Sequence, residues 1–128
     1  MRHRSYVIRA AEAPLFELPG IEFTGLATAS RGTDQLCTWK ITVAAGLESP
    51  GAHTLDRDEV FMVTSGEVRL HPDAETLLAG DAAVVPAGTP IQLSNPGSTP
   101  ASAYVAVPAG FTAAGEDGSP IPSPPWAR

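Results

Sequence analysis

Alternation of apolar and polar positions with a period of two dominates this chain. From Gln35 to Val43, the residues Cys37, Trp39, Ile41 and Val43 share one face, and Leu36, Thr38, Lys40 and Thr42 share the other. Successive side chains of a strand point to opposite sides, so this pattern predicts a strand with one buried face. Glu59 to Thr64 is rich in Val, Phe and Met and runs into Ser65-Gly66. Glu67 to Leu70 follows at once, so the two segments read as a hairpin. His71-Pro72-Asp73 ends the second of them. Further short strands are expected over 75–78, 82–85, 91–94 and 101–107, stopped in turn by Gly80-Asp81, Pro86-Ala87-Gly88, Asn95-Pro96-Gly97 and Pro108. Upstream, 6–8 and 21–28 add strands, with Pro14 and Pro19 between them. No long segment carries a sustained helical period. Turn signals recur every roughly 8 to 12 residues, the spacing of a sandwich or barrel. The expectation is an all-β, antiparallel jelly-roll barrel of about six to eight strands. It spans 1–112, and 113–128, with four prolines, forms an extended arm that Trp126 can pack down.

Composition narrows the picture. The chain has 128 residues, 43% of them apolar, which suits one domain with one core. The formal net charge is -6, and no Lys/Arg cluster interrupts it, which argues against nucleic acid and anionic membranes as partners. Cys37 is the single cysteine, so no intrachain disulfide can form. The start lacks the apolar stretch of a signal peptide, and no run reaches the roughly 20 apolar residues of a spanning helix. A soluble cytoplasmic protein is expected.

Two glycine-bounded stretches resemble the paired motifs of the cupin superfamily. In the first, His53, Glu59 and Gly66 stand where the motif has its first His, its Glu and its closing Gly, while Leu55 takes the place of the second His. In the second, Gly80, Pro86, Gly88 and Asn95 are in register, and Ile91 takes the place of the His. The ending, Val105 to Phe111 and Pro124-Pro125-Trp126-Ala127, is similar to the tails of small single-domain bacterial cupins. The resemblance implies a double-stranded β-helix, and the retained Gly, Pro and Asn positions are those that turn corners. It also implies a homodimer, for which the apolar Val60 and Met62 side of the Glu59 strand offers a second face to cover.

Cupins typically hold a divalent metal with three His and one Glu. Carried over, that set leaves His53 and Glu59 and loses two ligands to the aliphatic Leu55 and Ile91. Such a pair is a weak chelate, so no metal ligands are assigned, although a divalent metal stays open as a cofactor. A register slip of one residue would bring Thr54 or Gln92 inward, but it would reverse the facing of the strand. His53 has two readings: a partly buried histidine hydrogen-bonded to Glu59, which would raise its pKa, or half of a general acid/base pair. Trp39, Leu55, Phe61, Ile91 and Leu93 either fill the barrel or line a pocket for a small-molecule ligand. Cys37 reads as an inert buried thiol, and His3 and His71 as remote from the site. Function therefore divides between a metal-poor small-molecule binder, a sensor or accessory protein of metabolism, and an isomerase, cyclase or dioxygenase-like enzyme using His53 and Glu59. A purely structural domain would have no cavity.

Overall fold

The computed structural model describes residues 5–128, so His3 lies outside the described residues. Nine strands follow in order: β1 (Leu15–Leu18), β2 (Ile21–Gly25), β3 (Leu36–Val43), β4 (His53–Leu55), β5 (Glu59–Ser65), β6 (Ala82–Val85), β7 (Ala101–Pro108), β8 (Ala113–Gly115) and β9 (Pro120–Ile121). They form two antiparallel sheets, one ordered β1-β2-β3-β7-β5-β6 and one ordered β4-β8-β9. Only short 3-10 turns accompany them, and no helix among the described residues is long and apolar enough to cross a membrane.

The alternation in β3 becomes a buried face. Cys37, Trp39, Ile41 and Val43 are buried, and they lie opposite Val107, Val105, Ala103 and Ala101 of β7. Phe61 and Val63 of β5 complete these rows, since Phe61 pairs with Val105 and Val63 with Ala103. The reverse face carries Met62, Val84 and Tyr104 in exposed positions and Val60 half-buried; the homodimer expectation rests on the Val60 and Met62 part of it.

The expected hairpin after β5 does not form. β5 pairs with β6 and β7, and its register shifts between Val63 and Ser65. At Gly66 the backbone adopts φ +72°, and a Cβ there would stand 2.6 Å from the Pro100 carbonyl oxygen. A glycine is required on both counts, and the chain leaves the sheet at this point. Residues 67–70 instead bond to other loops: the Val68 and Leu77 amides donate to each other's carbonyls at 3.1 and 2.8 Å, and Arg69 pairs with Ser94. Val68 and Leu70 still reach the core.

Other boundaries shift as well. Residues 75–78 and 91–94 make isolated bridges rather than strands, and β2 stops at Gly25. Residues 6–8 form no strand, whereas β1 runs between the two prolines that marked a gap. The corner at Asn95 is held from inside: its buried amide nitrogen donates to the Val43 and Thr99 carbonyls at 3.1 and 2.9 Å, and its oxygen accepts from the Gly97 amide at 2.9 Å. The segment 113–128 is more than an arm. β8 pairs with β4, Leu55 opposite Ala113 and His53 opposite Gly115, and β9 pairs with β8. Trp126 then stacks on Phe23, ring centroids 3.7 Å apart and planes 6° from parallel.

Candidate functional site

Between the two sheets lies a cavity of about 430 Å³. β3 supplies Trp39 and Ile41 to its wall, β4 supplies His53 and Leu55, and β5 supplies Glu59 and Phe61. Ile91 and Leu93 come from the bridging segment after Pro86. All seven site residues read from the sequence therefore meet in one space. Their facing follows from strand alternation: Glu59 and Phe61 are two apart in β5, as are His53 and Leu55 in β4.

His53 is fixed by its backbone. Its amide donates to the Ile91 carbonyl at 3.0 Å, and the Ile91 amide donates to the His53 carbonyl at 2.8 Å. This reciprocal pair locks the register, so the slip that would bring Gln92 inward is closed. The Gln92 side-chain amide instead donates to the Ser49 carbonyl at 2.9 Å.

Glu59 is 3% exposed, and its Oε1 is buried with no hydrogen-bond partner. Burial pushes its pKa up to about 7, because a carboxylate loses hydration there and gains no compensating donor. Burial also lowers the pKa of His53. The hydrogen bond expected between the two would have raised the histidine, and that expectation is corrected: desolvation governs both groups, and each is driven toward its neutral form. Cys37 is buried too, its thiol pushed up to about 11, with Sγ 3.3 Å from the Ala127 carbonyl oxygen. A thiol so far from ionising is a poor nucleophile.

The donor set does not fit a resident divalent metal. Among the described residues lining the cavity, His53 and Glu59 are the only His, Cys, Asp or Glu side chains, and the positions where the family motif has its other two histidines, Leu55 and Ile91, are buried aliphatics. Among the described residues no group of three or more His, Cys, Asp or Glu side chains is placed to hold an ion. Structural and catalytic sites of this kind ordinarily take about three or four protein ligands.

Sequence reasoning missed part of the wall. Phe23 of β2, Phe111, Ala113 of β8, Ile121 of β9, Pro124 and Trp126 also line the cavity. Phe111 lies against Trp39, ring centroids 6.0 Å apart. The strap that carries Trp126 is tied down at its end, where the Thr28 and Ser30 hydroxyls donate to the Arg128 backbone oxygen at 2.6 and 2.8 Å. Phe111 just before the proline-rich segment and Trp126 within it were the available signal. No lysine or arginine is among the described residues that line the cavity.

The fold and cavity define the class: an antiparallel jelly-roll barrel with a largely apolar cavity between its sheets. The chain belongs to the cupin family, since the cupin-domain family model matches residues 39–107, more than half of it. No curated protein sequence matches it. Among solved structures it is similar to the polyketide cyclase RemF from Streptomyces resistomycificus, at 16% identity and a TM-score of 0.70, covering 84% of this chain and 80% of that one. It is also similar to a cupin-superfamily sugar phosphate isomerase from Silicibacter pomeroyi, at 23% identity and a TM-score of 0.62, covering 82% of each chain. An RmlC-like cupin from Ralstonia eutropha shares 12% identity at a TM-score of 0.74, covering 96% of this chain and 80% of that one. At such identities the likeness is one of fold, and unrelated chemistries share it.

Proposed function

We propose that this cupin binds a small organic molecule inside its barrel without a resident metal. The observation that carries this reading is the cavity itself: about 430 Å³, walled by aromatic and aliphatic side chains, with His53 and Glu59 as its ionisable groups. Ligand chambers combine these features, an apolar wall and a few converging polar groups. A sensor or an accessory protein of metabolism would need no more than this.

A second reading has an observation of its own. Burial leaves His53 neutral and brings Glu59 to about 7, so a base and an acid stand on one cavity near neutral pH. Groups displaced in this way serve proton transfer in isomerisation or cyclisation. Turnover that His53→Ala abolishes in a folded protein would establish that activity.

Binding can be measured directly. Trp39 and Trp126 are the chain's two tryptophans, and both line the cavity. The uncharged probe N-phenyl-1-naphthylamine should change their fluorescence saturably, with a dissociation constant on the order of micromolar. Added Mn, Fe, Ni or Zn should leave that binding and the melting temperature unchanged. The reading fails if the probe never saturates. It fails equally if stoichiometric metal is required and Glu59→Gln abolishes the effect.

A further inference from the structure

The chamber's wall restricts the chemistry of its occupant. Five aromatic rings line it: Phe23, Trp39, Phe61, Phe111 and Trp126. A cavity of roughly 150 Å³ with an apolar wall holds one benzene, so a space of about 430 Å³ has room for two or three rings. Flat faces pack well against such walls in offset or tilted geometry.

The polar groups add a second restriction. Glu59 presents a carboxyl that is almost wholly buried, with Oε1 lacking a partner, and His53 lies on the same wall. A hydroxyl or carbonyl on the occupant can exchange a hydrogen bond with this pair. An apolar occupant leaves the carboxyl unsatisfied, at a cost of about 1–3 kcal/mol. An anion meets the opposite situation. It loses its hydration, finds no lysine or arginine among the described lining residues, and faces a carboxyl. A cation fares better beside Glu59 but must desolvate against a wall that is mostly apolar, with Ser49 and His53 as its other polar side chains.

Resting on the small-molecule reading above, we propose that the occupant is an uncharged aromatic molecule of two or three rings, bearing a hydroxyl or carbonyl group that Glu59 and His53 hold. Phosphorylated sugars and carboxylates are excluded from this chamber, although a sugar phosphate isomerase shares the fold.

A matched series of bicyclic probes tests this at pH 7: 2-naphthol, naphthalene, 2-naphthoate and 2-naphthylmethylamine, each titrated against tryptophan fluorescence. 2-Naphthol should bind about tenfold tighter than naphthalene, and 2-naphthoate at least about tenfold weaker than 2-naphthol. The amine should do no better than naphthalene. Glu59→Leu should erase the advantage of naphthol by tightening naphthalene, which no longer leaves a buried carboxyl unsatisfied, and Glu59→Gln, which keeps a hydrogen-bonding side chain, should retain most of that advantage. A melting curve for each variant confirms folding. Equal binding of 2-naphthol and 2-naphthoate would overturn the proposal, as would tightest binding by the amine, which would make Glu59 a counter-ion. If naphthalene binds and naphthol gains nothing, the assigned role of the polar pair is wrong while the chamber stands. If no member of the series binds, the small-molecule reading falls and takes this proposal with it.

Discussion

The two ends of this barrel are built from the same strands and differ in what fills them. At one end Val43, Val63, Val68, Leu70, Ala101 and Ala103 pack into a solid core. At the other, Trp39, Phe61, Phe111 and Trp126 border open space. Within β3 the change takes only a few residues: Trp39 and Ile41 border the cavity, and Val43 does not. The packed end uses small and branched side chains with the loop after Gly66 dropped in among them. The hollow end uses rigid rings, whose shape resists collapse into the gap. Stability and recognition are thereby separated along one set of strands, and substitutions at each end should behave differently.

The largest effect is expected at the packed end. Leu70 is 6% exposed and takes no part in the cavity wall. Leu70→Ala would leave a void among closely fitted neighbours, and the expected loss is about 2–5 kcal/mol of unfolding free energy by urea titration, with probe binding unchanged in the folded fraction. A loss below about 1 kcal/mol would mean that this end is as loosely filled as the other, and the contrast would vanish.

Next comes Glu59, through pH. Its folded pKa of about 7 lies above the ordinary 4.5, so the folded chain holds more protons than the unfolded one between those values. Stability therefore falls as pH rises from about 4.5 through 7, by up to about 3 kcal/mol. His53 acts in the opposite sense. Its folded pKa lies below 6.5, so its contribution is lost as pH falls below that value. Glu59→Gln removes the first slope and leaves the second. Denaturant midpoints between about pH 5 and 8.5 should show the variant gaining on the parent as pH rises. Identical slopes would mean that water reaches the carboxyl and hydrates it, so the hollow end would be wetter than its walls suggest.

The sequence disclosed these two ends unequally. β3, β5 and β7 were legible because one face of each is buried and the alternation is unbroken. β1 was not, because it is an edge strand with three of four residues exposed, and nothing in Leu-Phe-Glu-Leu contrasts the two faces. The hairpin after Ser65 was misread because a glycine looks alike whether the chain folds back or leaves the sheet. What decides is a contact with Pro100 and Ala101, far along the chain. At the site, motif positions led to His53, Leu55, Glu59 and Ile91, and alternation added Trp39, Phe61 and Leu93. Phe111 and Trp126 stayed hidden, since their place depends on β8 pairing with β4 and on the strap folding over Phe23. The absence of a bond from Glu59 Oε1 to His53 is a matter of side-chain direction, which spacing does not encode.

The smallest effect should come from the cavity-side counterpart of Leu70. Leu93 is also a buried leucine, at 9% exposure, but it borders the chamber. A side chain beside empty space has fewer neighbouring atoms to lose, so Leu93→Ala forfeits less dispersion energy than the same change in a filled core. The expected loss is about 1–2 kcal/mol, at or below the low end for buried leucines. Its effect on binding should be the larger signal, because truncation widens the chamber where an aromatic occupant would press. N-phenyl-1-naphthylamine should then bind with altered affinity and a shifted emission maximum, while Leu70→Ala leaves both alone. A Leu93→Ala loss matching that of Leu70→Ala would show that the chamber collapses around its wall in solution, and the two ends would have to be treated as one continuous core.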